Sequence, residues 1–285
     1  MPLVKAKEML LCAQAGSYAV PAFNAENMEM AQGLIKAAED MRSPIILQTT
    51  PSTLRYGNPR LYQAIASALA ADSDIPAALH LDHGDSNVLA ARVIKAGYTS
   101  LMIDGSRLTF SENIKLTKQA VEMAASVGLT VEGELGKVGG KEDGMESGGL
   151  GYTDPDEAEV FVKETGVFSL AIGIGTSHGV YQKAPKLDLE RISVISRRIS
   201  NPLVLHGTSG LPDADVRECI RRGICKVNYA TELRIAFTDG VRTSLSENPD
   251  AYDPKIYLKA GRQKVYEAAR RLISLCGAEG KAERV

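Results

Sequence analysis

The feature that most constrains the fold is a regular alternation of short apolar runs with longer amphipathic segments along the 285 residues. The apolar runs do not alternate in polarity, which is typical of parallel strands that are buried on both faces. We predict eight strands, at 18–24, 44–49, 76–82, 100–104, 130–135, 169–175, 202–206 and 226–229. We predict a helix after each strand, at 26–41, 58–72, 86–96, 111–127, 155–165, 188–199, 213–222 and 231–247.

Eight successive strand–helix units in about 250 residues are the pattern of an α/β protein with a (β/α)8 TIM barrel. A ninth amphipathic segment, 257–275, is additional to the barrel. No linker, repeat or low-complexity segment divides the chain. We therefore predict that residues 1–285 form a single barrel domain with an extra C-terminal helix.

Charge and cysteine usage exclude several classes of protein. The net charge of −2 leaves no basic patch for nucleic acid and no cationic face for a membrane. The four cysteines are scattered without a Cys-x-x-Cys spacing, which favours reduced thiols. The N-terminus carries charge where a signal peptide needs an apolar core, and no uncharged stretch is long and apolar enough to span a bilayer. A cytoplasmic protein is expected.

The chain has only four histidines, and each lies at or just past the end of a predicted strand. His80 and His83 end the third strand, His178 follows the sixth, and His206 closes the seventh. Because barrel enzymes have their active sites at the C-terminal ends of the strands, these side chains should meet at one face. Three imidazoles with an open position are typical of catalytic zinc. We predict that His83, His178 and His206 bind a metal, and we interpret His80 as a structural residue.

A glycine-rich connection after the fifth strand is the longest in the predicted barrel. Residues 136–152 contain seven glycines and carry Glu142, Asp143 and Glu146. Connections of this length are usually functional or disordered. Composition alone leaves two interpretations open, a mobile lid that delivers a carboxylate to the active face and a flexible surface excursion.

Six motifs, in this order along the chain, resemble those of class II, metal-dependent ketose-bisphosphate aldolases. They are HLDHG at 80–84, VEGELG at 131–136, GGKED at 139–143, GTSHG at 175–179, LHGTSG at 205–210 and KVNYATE at 226–232. The resemblance extends from Val4 to Lys281. The segments VPAFN at 20–24 and ATELRIAF at 230–237 are most similar to the tagatose-1,6-bisphosphate aldolase branch.

The resemblance implies reversible cleavage of tagatose and/or fructose 1,6-bisphosphate to dihydroxyacetone phosphate and glyceraldehyde 3-phosphate. It implies Zn²⁺ on the three histidines, where the ion would polarise the ketone and stabilise an enediolate. Asp82 would exchange the proton of the C4 hydroxyl, and Glu142 would move the proton at C3. This chemistry needs no lysine that forms a Schiff base.

The resemblance also implies a substrate-binding set around two phosphate loops. Its members are Asn24, Gly179, Gly207, Thr208, Ser209, Asn228, Ala230, Thr231 and Lys255. Backbone N–H groups after the seventh and eighth strands commonly hold phosphate in barrel enzymes, although Ser209 and Thr231 could equally be helix caps. Relatives commonly have arginine where Lys255 stands, so contact with the distal phosphate would lack a bidentate fork.

Further ions are implied beside the zinc site. A monovalent cation, Na⁺ or K⁺, often binds nearby in the family. Asp104 and Glu134 resemble residues that hold a second divalent ion in some members. Their alternative role is to support the histidine ligands through hydrogen bonds.

Other functions stay open from the sequence. A related zinc aldolase could act on another phosphorylated sugar or sugar acid. Metal-dependent hydrolases also use this barrel, but they typically have an H-x-H pair at the end of the first strand, where this chain has Phe23 and Asn24. The expected assembly is a homodimer or homotetramer, and some tagatose-branch systems add a non-catalytic accessory subunit. The retained histidines indicate that this chain would be the catalytic partner.

Overall fold

The fold is a closed barrel of parallel strands, as the sequence predicts. The computed structural model describes residues 2–142, 145–147, 151–179, 181 and 185–284, except the side chains of 141, 142, 145–147 and 284. Its strands are β1 Val20–Asn24, β2 Ile45–Thr49, β3 Ala77–Gly84, β4 Ser100–Ile103, β5 Val131–Leu135, β6 Gly139–Glu142, β7 Met145–Ser147, β8 Ser169–Ile172, β9 Ser177–His178, β10 Leu203–Leu205 and β11 Ile224–Tyr229. The barrel order is β1-β11-β10-β8-β5-β4-β3-β2, and β6, β7 and β9 form a separate sheet.

Helices surround the barrel and match the predicted segments closely. They are α1 Ala6–Gly16, α2 Met28–Asp40, α3 Pro51–Tyr56, α4 Pro59–Ala71, α5 Asn87–Ala96, α6 Phe110–Ala125, α7 Pro155–Thr165, α8 Leu189–Arg198, α9 Asp213–Arg221, α10 Thr231–Glu247 and α11 Pro254–Leu275. Their start signals are visible in the sequence, since Asp154 caps α7 with proline at the first helical position. Neither α1 nor the six-residue α3 was predicted from the sequence. None of the described helices is long and apolar enough to cross a membrane.

The apolar core lies between the barrel and its helices, whereas the barrel interior is partly polar. Phe23, Leu47 and Phe161 belong to the outer core and are at most 2% exposed. Within the barrel, Glu132 and Lys226 are equally buried. Because side chains alternate between the two faces of a strand, such polar residues point inward. The sheet therefore delivers polar groups to the inside and to the C-terminal mouth.

The glycine-rich connection contains a β-hairpin that was not predicted from the sequence. β6 pairs antiparallel with β7 and parallel with β9, with Gly140 opposite His178. Gly140 has φ of +86°, and a Cβ there would clash with the carbonyl oxygen of His178. Glycine is therefore required for this close approach. The start of β6, a strand that ends at Glu142, therefore lies beside the short strand that carries His178.

Candidate metal centre

A distortion at the end of β3 brings two consecutive residues to the same cleft. Adjacent residues of a regular strand point to opposite faces. The pairing of β3 with β4 shifts register between Leu81 and Gly84, and His83 has a left-handed φ of +47°. Such a bulge redirects a side chain. As a result, Asp82 and His83 both line the cleft at the barrel mouth.

Three imidazoles converge at the mouth. His83, His178 and His206 each offer a ring nitrogen, and these nitrogens lie within 4.8 Å of one another. Nε2 of His83 and Nδ1 of His206 are 3.0 Å apart. The three rings meet edge to face, with centroids 4.7 to 6.1 Å apart. Nitrogens at this spacing can bind a single divalent ion, with a position left open for a substrate oxygen.

Two of these rings form a hydrogen bond to a carboxylate through the ring nitrogen that faces away from the proposed metal position. Nδ1 of His83 lies 2.8 Å from Oδ2 of Asp104, and Nε2 of His206 lies 3.0 Å from Oε1 of Glu132. In metal sites, a carboxylate on the far nitrogen fixes the tautomer and orientation of the ligating ring. The donor set and its hydrogen-bonded supports therefore fit a zinc ion.

The protonation of the rings follows from their surroundings. Burial lowers the pKa of His178 well below its usual value, and the neighbouring His83 and His206 lower it further. Burial and His83 act in the same way on the pKa of His206. Burial also works to lower the pKa of His83, but Asp82, Asp104 and Glu134 raise it to about 10. A bound cation would replace the proton of His83, because ligation requires the neutral ring.

Asp104 and Glu134 lie beside His83 and could also hold an ion. With His83 they offer ligand atoms within 4.8 Å of one another. Burial and the Asp104 carboxylate raise the pKa of Glu134 well above its usual range. Burial opposes ionisation of Asp104, but the hydrogen bond from His83 holds its pKa well below normal. The arrangement favours the supporting role of Asp104, and a second divalent ion stays a prediction.

Asp82 is held by three side-chain amides. Asn24 Nδ2 and Gln48 Nε2 donate to its Oδ2 over 3.1 and 3.2 Å, and Asn228 Nδ2 donates to its Oδ1 over 3.0 Å. A carboxylate has about four acceptor sites, so about one remains for a hydroxyl group of a ligand. The amides therefore fix the carboxylate in place and leave it able to accept a proton.

The predicted phosphate loops line the same cleft. The described residues that line it are Asn24, Asp82, His83, His178, Gly179, Gly207, Thr208, Ser209, Asn228, Ala230 and Thr231. Thr208 Oγ1 donates to the carbonyl oxygen of Asn228 over 2.5 Å and joins the two loops. Ser209 is the N-cap of neither α9 nor α10, but its Oγ accepts the N–H of Glu232 in the first turn of α10. The N-terminus of α10 thus opens beside the cleft, an arrangement that attracts phosphate.

Two predicted site residues, Lys255 and Glu142, are not among the described residues that line the cleft. Lys255 lies in the first turn of α11, is 86% exposed at its side chain and pairs with Asp253 over 2.9 Å. Its contact with a distal phosphate stays a prediction. The backbone of Glu142 ends β6, but its side chain lies outside the described residues, as does all of Asp143.

Four residues that support the site were assigned no role from the sequence. They are Gln48, Glu132, Tyr181 and Lys226. Tyr181 accepts the N–H of Ser177 and donates to the carbonyl oxygen of Gly207. A signal existed for Glu132 and Lys226, because strand alternation puts Glu132 on the face of Glu134 and Lys226 on the face of Asn228.

Comparisons with known proteins agree with this geometry. Residues 4–281 match the family model described as class II fructose-bisphosphate aldolase. The chain is 45% identical over 283 residues to D-tagatose-1,6-bisphosphate aldolase subunit GatY of Klebsiella oxytoca, covering 99% of this chain and 100% of that protein. The YdjI aldolase of Escherichia coli K12 has a TM-score of 0.86 at 35% identity, covering 98% and 99% of the two chains. Fructose-bisphosphate aldolase of Campylobacter jejuni, at 22% identity and a TM-score of 0.81 over 98% and 97%, shows the same fold.

Proposed function

The chain belongs to the class II fructose-bisphosphate aldolase family, and we propose that its substrate is tagatose 1,6-bisphosphate or the fructose epimer. The family makes it a lyase that cleaves a ketose bisphosphate. The observation that carries the residue assignment is the convergence of three imidazoles and Asp82 in one cleft. The name of the Klebsiella oxytoca relative supports the tagatose epimer.

Class II aldolases depend on zinc in general, and we assign the ligands as His83, His178 and His206. Zinc bound there would supply Lewis-acid polarisation of the substrate carbonyl. Asp104 and Glu132 orient two of the rings through hydrogen bonds. The monovalent cation implied by the family, Na⁺ or K⁺, stays a prediction.

The remaining residues of the cleft act on different parts of the substrate. The N-terminus of α10, with Gly207, Ser209 and Thr231 around it, suits the phosphate of the dihydroxyacetone half. Asp82 takes the proton of the C4 hydroxyl in cleavage and returns it in condensation. Asn24 donates to Asp82, which supports an aldolase over a hydrolase whose first strand would end in metal ligands.

A comparison of substrates tests the proposal. Purified protein with zinc should cleave tagatose 1,6-bisphosphate, fructose 1,6-bisphosphate or both, and the ratio of kcat/KM values identifies the epimer. Treatment with a chelator should stop cleavage, and added zinc should restore it. Cleavage of neither bisphosphate, with turnover of another phosphorylated sugar or sugar acid instead, would contradict the substrate assignment.

Glu142→Ala tests the lid carboxylate separately from Asp82. We expect this variant to slow exchange of the C3 proton of dihydroxyacetone phosphate with solvent, because the proposed base for that proton is removed. Deuterium uptake from D₂O, measured without any aldehyde, reports this half-reaction alone. Asp82→Asn is the matched control and should keep much of the exchange while losing cleavage. Exchange at the parent rate in Glu142→Ala would leave Asp143 or Glu146 as the next candidate.

The assembly and location are also proposals. The Klebsiella oxytoca relative is named as a subunit, and we propose a homodimer or homotetramer in the cytoplasm. Light scattering of the purified chain gives its mass. If activity or stability of the chain is low alone and rises on mixing with a second gene product, a non-catalytic accessory subunit is required.

A further inference from the structure

A charged pair is enclosed inside the barrel beneath the cleft. Nζ of Lys226 donates to Oε2 of Glu132 over 2.9 Å, and both side chains are at most 2% exposed. Removing two charges from water costs several kcal/mol per ion, and apolar residues of similar volume often replace such pairs without loss of stability. Folding alone therefore does not explain why the barrel contains this pair.

The second oxygen of Glu132 reaches a proposed zinc ligand. Oε1 lies 3.0 Å from Nε2 of His206. An ionised carboxylate only accepts hydrogen bonds, so Nε2 must carry the proton of the neutral ring. The lone pair then lies on Nδ1, the nitrogen that is 3.0 Å from Nε2 of His83. This is the tautomer that can bind a metal between the two histidines.

The nearby amide of Asn228 does not select this tautomer. Its Nδ2 is 3.1 Å from Nε2 of His206, but it also donates to Oδ1 of Asp82 over 3.0 Å. Two N–H groups facing each other cannot form a hydrogen bond. The amide has two protons, and the one that Asp82 does not take could reach Nε2 only if Nε2 were unprotonated, which would leave the Glu132 carboxylate facing a lone pair. A hydrogen bond to an ionised carboxylate is about twice as strong as a neutral one, so the bond from the Nε2–H to Glu132 sets the tautomer.

We propose that Glu132 and Lys226 act together as positioning residues that set the tautomer and orientation of His206. The inference rests on the proposed function through the zinc site. Lys226 has three donors and no acceptor, so the side chain at position 132 must present an acceptor atom to it. A carboxylate can serve both neighbours because both of its oxygens accept. An amide at position 132 cannot do so.

The proposal predicts that a second substitution, at Lys226, recovers zinc affinity that is lost by a substitution at Glu132. In Glu132→Gln, the amide oxygen should turn to Lys226 and the amide N–H₂ to His206, which imposes a proton on Nδ1. We expect zinc affinity to fall about 10–100-fold, the usual loss for such a partner. Adding Lys226→Met removes the demand for an acceptor, so the amide oxygen can face His206 and recover part of the affinity. Relief of the unpaired buried charge of Lys226 would also recover affinity, so Lys226→Met combined with Glu132→Leu is needed to separate the two causes, because leucine cannot accept from His206.

Zinc affinity by competition with a chelator is the main measurement. Nitrogen-15 NMR of the metal-free protein reports the tautomer directly, since only four histidines contribute signals. The exposed pair of Arg222 and Glu190, 2.8 Å apart, provides the matched control. Glu190→Gln, alone and with Arg222→Met, should leave zinc affinity unchanged.

A second comparison keeps the test valid if Glu132→Gln does not fold. Two double variants combine Lys226→Met with either Glu132→Gln or Glu132→Leu, and both lack the buried charges. Only glutamine at position 132 can accept a hydrogen bond from His206. The glutamine variant should bind zinc more tightly than the leucine variant. Equal affinities, or parent affinity in the single Glu132→Gln variant, would overturn the proposal. His206→Ala with parent zinc affinity would instead overturn the zinc site of the proposed function.

Discussion

Replacing either His178 or His206 by alanine is expected to abolish both tight zinc binding and ketose bisphosphate cleavage. Each change leaves two of the three imidazoles that converge at the barrel mouth. A catalytic zinc site normally needs three protein ligands, and a site with two loses the geometry that keeps one position open for substrate. Elemental analysis after dialysis measures the metal, and an aldehyde-coupled assay measures cleavage.

His80→Asn is the matched control for this prediction. His80 belongs to the same barrel, but its Nδ1 bonds to Ser100 Oγ over 2.7 Å and it does not line the cleft. This variant should retain about one equivalent of zinc. Full cleavage activity in either metal-depleted alanine variant would show that the histidines are not zinc ligands.

The barrel was predictable because its signals are local and repeated. Continuous apolar runs indicated strands buried on both faces, and Asp154 with Pro155 marked a helix start that the structure confirms. The hairpin within 136–152 could not be predicted in this way. Its strands have four and three residues, β6 begins with two glycines, and β6 also pairs with a distant partner, since Gly140 lies opposite His178.

The meeting of the histidines was predictable because barrel topology places all strand ends at one face. The support beneath them was harder to see. Glu132 and Lys226 are separated by 94 residues in sequence, and a charged residue within a strand usually indicates an exposed face. The bulge at Asp82 and His83 also depends on tertiary packing, because a Cβ on Gly84 would clash with the carbonyl oxygen of Met102.

Asp82→Asn is expected to reduce cleavage by about 10²–10⁴-fold, the usual span for a positioned acid–base group, while zinc and fold are retained. The structure explains why the fold should tolerate the change. The N–H₂ of the new asparagine would take the position of Oδ1, which accepts from Asn228 alone, and not that of Oδ2, which accepts from Asn24 and Gln48. Only one hydrogen bond from an amide is then lost. Asn228 can turn over to accept from it, because its Oδ1 has no hydrogen-bond partner among the described residues.

The loss should therefore fall on catalysis and not on stability. An amide cannot take the proton of the C4 hydroxyl, so the C3–C4 bond cannot break through this residue. Zinc content and the thermal unfolding midpoint should match the parent, and solvent exchange into dihydroxyacetone phosphate should largely persist. A cleavage rate only several-fold below the parent would assign the C4 proton to another group. Parent-like exchange together with lost cleavage would locate the action of Asp82 at the C4 oxygen.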